Sequence, residues 1–552
     1  MSRAGSSEST PLLAAEHAGG DRRPSVSSAD VVASPRSRPS PYHVGFPLFM
    51  SVFSYSLASV PTQQFLLVYL CRTLFSDSPV GNLFLDGSTN TLGPDFATCR
   101  NIPEVQALTA KWTMAISLAI SLPAVLATPL IGHLADRFGR RPFFMLPCIS
   151  GTVAILAVLG VAAFDLPLWV LLVANLVQGL LGGYQAILMI TWSYLADVTP
   201  AHSRARVFLI TEAFVFVAFT GGPYVGGLLT RILPSGVVGV FQFSLIGKLL
   251  ALLYVVLLLP ESLEKAKIPS VPSVAEGPAA AGSTTPFYKA ALWTRLSTPS
   301  TLLRMLAQPP RSHLVFIAFV TALGVGGLTL FFYYCSYRLG WDSLDEGIYL
   351  LYLSVTRLIW MLGVGGLIDR HASKPTLPNP ALASAGATAI PPLILDVRRK
   401  VRSEVMTVRL GMVISAIGMI TIGFLSEGWM VYVVATFTGF GTLAKPTIRA
   451  LLSRSTPPTL QGRMFSILQI TDQVASVMSS FIFPPIWAAT VGTRFPGTFL
   501  FVIGVFFFAG AGVAFAGLSV DDLIDGFHAA PPTEASESSD VESEGASETV
   551  NA

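Results

Sequence analysis

Apolar residues in this chain gather in long runs separated by short polar turns. A bilayer-spanning helix needs about 20 mostly apolar residues in succession. Twelve runs fit that description, at 44–70, 112–131, 142–164, 168–192, 207–230 and 237–259, then 313–336, 347–368, 409–426, 429–452, 466–490 and 497–518. Their length predicts helices rather than barrel strands, which alternate in short segments. Pro and Gly recur inside them, as membrane helices tolerate. The first run follows a long polar stretch with no small-residue cleavage site, so it reads as a span and not a secretory leader.

Composition agrees: 52% of the residues are hydrophobic and only 12% charged, about half the charge of a soluble domain. A net charge of +3 with no concentrated basic domain argues against a nucleic-acid partner. The four cysteines, Cys71, Cys99, Cys148 and Cys335, form no CxxC pair and no cluster with histidine. No metal site or cofactor is therefore expected. No nucleophile–base constellation or phosphate loop points to an enzyme.

Lys and Arg fix the orientation. Placing the N-terminus in the cytosol puts 25 of the 35 basic residues in cytosolic segments, six in the opposite loops and four within spans. The reading is an all-α, multi-pass membrane protein with both termini cytosolic. Its expected parts are a disordered tail at 1–43, a six-helix bundle at 44–260, a linker at 261–312, a second bundle at 313–518 and an acidic tail at 519–552. Residues 371–403 are expected to form a disordered loop in the second bundle. From Asp521 onward the tail holds nine acidic residues and no Lys or Arg, too polar to fold alone. In the first tail, Glu8-Ser-Thr-Pro-Leu12-Leu13 has the acidic dileucine form read by vesicle adaptors. This leaves the plasma membrane and a vacuole or lysosome as locations.

The halves repeat. Thr199-Pro200, Arg206 and Phe208 after the fourth run recur as Thr456-Pro457, Arg463 and Phe465 after the tenth, 257 positions on. Gly132-x-x-x-Asp136-Arg137 after the second run recurs as Gly365-x-x-x-Asp369-Arg370 after the eighth. Parallel six-helix repeats with a substrate near the midplane describe one large transporter architecture.

Gly132-His-Leu-Ala-Asp136-Arg137-Phe-Gly139-Arg140-Arg141 resembles the loop 2–3 signature of the major facilitator superfamily. The resemblance implies twelve helices in two bundles, a small-molecule substrate moved by alternating access, and a cytosolic gate at Gly132, Asp136, Arg137, Gly139, Arg140, Arg141 and Asp369. Within the superfamily the chain resembles the proton-coupled folate transporters at Pro446-Thr-Ile-Arg449-Ala and Gln461-Gly462-Arg-Met-Phe465, at Ser203-Arg204 with Glu212-Ala213, and at Trp341-Asp342-Ser343. It is also similar to tetracycline-type exporters. Gly221-Gly222-Pro223-Tyr-Val-Gly226-Gly227 resembles the Gly-Pro-x-x-Gly-Gly element of drug:proton antiporters, tilting the expectation toward export over uptake or vacuolar release. Gly222, Pro223, Gly226 and Gly227 are expected to pack helices closely.

A charge at the centre of a span costs about 2.5–3.5 kcal/mol on insertion scales and marks a functional candidate. Glu212 matches the glutamate implicated in proton coupling in the folate family. Asp472 lies three positions beyond its repeat counterpart. Both are candidate proton carriers. Arg449, in the matched element, and Arg357, whose guanidinium suits a carboxylate, are candidate substrate contacts. Lys248 has no motif behind it, and Lys445 lies near the end of its run. A non-transporting receptor or scaffold on the same fold is the rival reading.

The chain also departs from these families. Thr321 stands where the folate family has a histidine, Gly183 where it has an acidic residue, and Asn175 where proton-driven relatives have an arginine. The folate-family resemblance further implies a bridge between Cys99 and Cys335, with Cys71 an alternative partner and Cys148 in the core.

Overall fold

The computed structural model describes residues 39–75, 94–199, 204–262, 309, 311–364, 392–454 and 461–523. Leu12, Leu13, Asp369 and most of the linker lie outside them. The described residues form twelve membrane-length helical stretches. In the first half these are α1 (Pro41–Phe75), α2 (Pro103–Phe138), α3 (Arg140–Phe164), α4 (Trp169–Leu180 and Gly183–Val198), α5 (Arg204–Ile232) and α6 (Gly236–Leu257). In the second they are α7 (Arg311–Gly326 and Leu328–Leu339), α8 (Ser343–Leu358), α9 (Pro392–Phe424), α10 (Gly428–Thr438 and Ala444–Arg454), α11 (Gln461–Thr490) and α12 (Thr498–Gly517). Nine of them are long and apolar enough to cross a membrane. The other three, α8, α10 and α11, carry Arg357, Lys445, Arg449 and Asp472. Leu126, Val217, Leu257, Trp429 and Val505 remain exposed, a surface that lipid rather than water would cover.

Consecutive helices alternate in direction, defining two ends of the molecule. The tail end carries Pro41, the α2–α3 turn and Asp521; the disulfide end carries Cys99 and Gly340. Within the halves, α1 packs on α5 and α6, α3 on α6, α7 on α11 and α9 on α12. Between them, α2 meets α11 and α5 meets α8. The sequence repeat makes α8 the counterpart of α2, and α11 that of α5. These two contacts are therefore one arrangement made twice about a pseudo-two-fold axis.

The repeat extends to helix defects. α4 breaks at Gly182 and Gly183, both at positive φ, a conformation costly for any residue with a Cβ. Position 182 plus the repeat offset is Gly439, where a 3₁₀ turn over Gly439–Leu443 interrupts α10. A π-helical turn, Ile359–Val364, follows Arg357 in α8.

Two expectations are corrected. α9 begins at Pro392, inside the segment expected to be disordered. Arg398 on it pairs with Asp521 at 2.6 Å, and Arg409 donates to the Ala514 and Leu518 carbonyls at the end of α12. That anchorage ties the start of α9 to the end of α12. Cys99 bonds Cys71, not Cys335, with Cα atoms 5.8 Å apart. A short helix, Pro94–Cys99, brings Cys99 to the end of α1, while Cys335 stays a buried free thiol. Non-reducing peptide mapping is expected to recover a Cys71–Cys99 peptide, and Cys335 should resist alkylation until the protein is denatured. A Cys99–Cys335 peptide would contradict the assignment.

Candidate functional site

At the tail end, the loop 2–3 signature ties four helices of one half together. Gly139, at φ +108, turns α2 into α3, and a Cβ there would sit 2.6 Å from the Glu261 carboxylate. That carboxylate accepts from the backbone N–H groups of Arg140 and Arg141, at 2.7 and 3.1 Å. The Arg140 side chain, 9% exposed, bridges Asp136 and Asp197, the latter at 3.0 Å. Arg141 donates to the Val255 and Val256 carbonyls at the end of α6. Gly132 packs on Met189 of α4. Arg137 instead stacks on Phe138. Asp197 and Glu261 were missed from sequence because each is a lone acid at a helix end, far along the chain from the signature.

Toward the middle, the halves face each other across polar groups. Glu212 of α5 is exposed and makes no ion pair among the described residues. It lies within electrostatic reach of Arg357 of α8 and Tyr184 of α4. The half-buried Arg357 guanidinium sits over the Phe216 ring at 5.7 Å. Tyr184 stacks on Tyr55 at 5.7 Å. Gln469, the repeat counterpart of Glu212, donates to Gln185 across the halves at 2.9 Å.

Asp472 does not stand free beside Glu212. It accepts from Lys445 at 3.1 Å and Arg449 at 3.3 Å, its own side chain 18% exposed. Two sequence candidates from different roles are thus each other's partners, with Lys445 as a third. Lys248 is buried, donates to the Ser51 carbonyl at 2.9 Å and lies beside Cys148, which is also buried. This matches a packing role for Lys248 and a core role for Cys148.

At the disulfide end the halves close directly. Gly227 of α5 packs on the backbone of Ser343 and Leu344, and Gly347 of α8 packs on that of Pro223 and Tyr224. Gly222 and Gly226 face the other way, onto Ser56 and Leu57 of α1. Thr230 bonds Ser343, Thr113 bonds Tyr333, and Arg100 donates to the Gly340 carbonyl at 2.6 Å. Arg231 pairs with Asp342 at 2.6 Å. Burial pushes the Asp342 carboxyl up, but hydrogen bonds from Arg231 and from the Asp345 and Leu344 backbone outweigh it and hold Asp342 below its ordinary value. A lowered carboxylate supports this contact above its unfolded value and loses it only as pH falls into the acid range. Half-exposed pairs contribute at most about 1 kcal/mol, so the glycine packing dominates the closure.

Helices paired about a pseudo-two-fold axis, with charges gathered in the seam between halves, define a polytopic transporter fold. A family model described as the Major Facilitator Superfamily matches residues 44–397, and the chain belongs to that family. A tetracycline resistance protein, class H, from Pasteurella multocida is 22% identical over 65% of this chain and 76% of its own length. A proton-coupled folate transporter from Bos taurus is 24% identical over 73% of this chain and 78% of its own. Among solved structures, the human organic anion transporter MFSD10 superposes with TM-score 0.53 at 19% identity, covering 86% of this chain and all of that one. A D-xylose-proton symporter gives 0.56 at 14%, covering 88% and 98%. These structural likenesses bear on the fold alone.

Proposed function

We propose that the chain couples protons to the movement of a small organic anion by alternating access, with the tail end as the cytosolic end. The observation that carries this is Glu212 lying within electrostatic reach of Arg357 across the seam. When Glu212 is ionised it competes for the guanidinium. Protonation releases Arg357 to hold a carboxylate of the solute, so proton and anion occupy the site together. That linkage is symport, as an importer or a vacuolar releaser. The excess of Arg357, Arg449 and Lys445 over Glu212 and Asp472 supports an anion. Lys445 and Arg449 both pair with Asp472, so it positions cations rather than carrying the proton. The signature network, lying within one half, would set the tail-end geometry on which gating acts.

Export by antiport is the second reading. It is supported by the likeness to tetracycline resistance proteins and by the Gly221–Gly227 element, whose glycines are also accounted for by packing on α1 and α8. Proteoliposomes offered a panel of radiolabelled carboxylates separate the two. Symport accumulates label when the side of entry is acid; antiport requires the opposite gradient. Glu212→Gln is expected to keep solute exchange without a gradient but to lose gradient-driven accumulation at least tenfold. Full gradient dependence in that variant would remove Glu212 from the mechanism.

A further inference from the structure

α8 carries a carboxyl that the hydropathy pattern does not single out, because it sits in the first helical turn beside two other acids. Asp342 caps the helix, and Asp345 closes the capping box by accepting the Asp342 N–H at 3.1 Å. Both have partners. Glu346, the next residue, does not point to solvent with them: it is 2% exposed, and its Oε2 meets no hydrogen-bond donor.

Its neighbours along α8 line the seam between halves at the disulfide end. Ser343, one turn before it, bonds Thr230 of α5, and Gly347, immediately after it, packs on the Pro223 carbonyl of α5. From α7, Tyr333 and Cys335 lie within electrostatic reach of it, both buried. The Tyr333 hydroxyl in turn bonds Thr113 of α2 at 3.1 Å. Asp342 and Asp345, on its own helix, also lie within electrostatic reach of it. Of the cations at this end, Arg231 is engaged by Asp342 and Arg100 by the Gly340 carbonyl. An ionised carboxylate in such a pocket has lost its water and gained no cation, a state that proteins avoid by keeping the group neutral.

We propose that Glu346 is a proton-binding residue that controls opening of the disulfide end: protonated, it permits the α5–α8 and α2–α7 contacts to close over it, and ionised, it forces them apart to reach water. The same residue thereby ties the access step to pH on the side the disulfide end faces. This goes beyond Glu212, which lies nearer the tail end. It rests on the proton-linked reading only for its use in transport, since opening can be read directly. Asp342, held below its ordinary value, stays ionised throughout the pH range concerned.

The test uses the full-length protein in liposomes, spin-labelled at Asp165→Cys and Glu427→Cys. These are exposed loop positions of the two halves at the disulfide end. Electron–electron resonance distances are recorded from pH 5 to pH 8. The wild-type background is expected to shift from a short to a long distance as pH rises, with a single midpoint. Glu346→Gln, isosteric and neutral, should stay at the short distance across the range and slow solute exchange at least tenfold. Asp345→Asn should keep the transition with a displaced midpoint. Glu346→Asp, which retains the carboxyl, should restore it, separating titration from a packing defect. If E346Q kept the wild-type transition, or if the wild-type distance did not change with pH, the assignment would be overturned. A transition that E346Q abolishes, in a protein whose transport ignores the pH gradient, would sustain Glu346 and sink the coupling proposed for Glu212.

Discussion

Arg140→Ala is expected to destabilise the protein by about 1–3 kcal/mol, the cost of losing hydrogen bonds to charged partners. The guanidinium is 9% exposed and joins Asp136 and Asp197, so its loss unties the ends of α2 and α4, while the more exposed carboxylates take water in exchange. Arg140→Lys should recover only part of that, because an ammonium cannot present a rigid planar fork to two carboxylates. Arg137 in the same signature makes the informative control. It stacks on Phe138 without entering the network, and Arg137→Ala should stay within about 0.5 kcal/mol of the parent, as surface substitutions do. Thermal unfolding of purified protein in nanodiscs checks both. Equal losses for the two arginines would mean that the network does not hold these helix ends together.

The second large effect belongs to adjacent glycines that should fail in different ways. A Cβ on Gly226 would stand 2.2 Å from the Leu57 carbonyl oxygen, and one on Gly227 would stand 2.5 Å from that of Ser343. Neither neighbour is a side chain able to swing aside. Gly226 faces α1 within its own half, so Gly226→Val should cost folded protein in every state of the cycle. Gly227 faces α8 across the seam, so Gly227→Val should leave each half intact but penalise closure at the disulfide end. Overpacking of this kind costs about 1–3 kcal/mol, or roughly a 5- to 150-fold shift toward the open arrangement at tenfold per 1.4 kcal/mol. Monodisperse yield reads the first effect, and the spin-label distance at the disulfide end reads the second. If Gly227→Val closed normally, the glycine contact would not be what limits the approach of the halves.

Much of the fold was legible in the chain because each span writes its own signal in consecutive residues. The repeat added the pairing of halves, and its 257-residue offset also lands on the breaks in α4 and α10. Pairwise chemistry was less legible. Asp472, Lys445 and Arg449 read as separate candidates because their ion pairs form between α10 and α11. For Cys99 the family resemblance implies Cys335 with Cys71 as the alternative, and the alternative is the one formed: four cysteines leave connectivity open, and the deciding element is a six-residue helix with no strong pattern. Glu346 was hidden by its neighbours. Three acids at a helix start read as a solvated cap, and only burial separates the third from the first two. The α9 extension was obscured by the Pro- and Ala-rich stretch before it, although Pro is at home in a first helical turn.

The Gln185–Gln469 contact between halves is neutral on both sides. Separating two amides strands no charge, and each can take water in exchange, so the net loss is about 0.5–1.5 kcal/mol. A clasp of that strength opens within ordinary thermal fluctuation and is insensitive to pH and salt. Ionic contacts such as Lys445–Asp472 respond to both. The protein therefore has at its waist a fastening indifferent to the medium, and under the proposed proton linkage the timing of the cycle falls to the ionisable groups on either side.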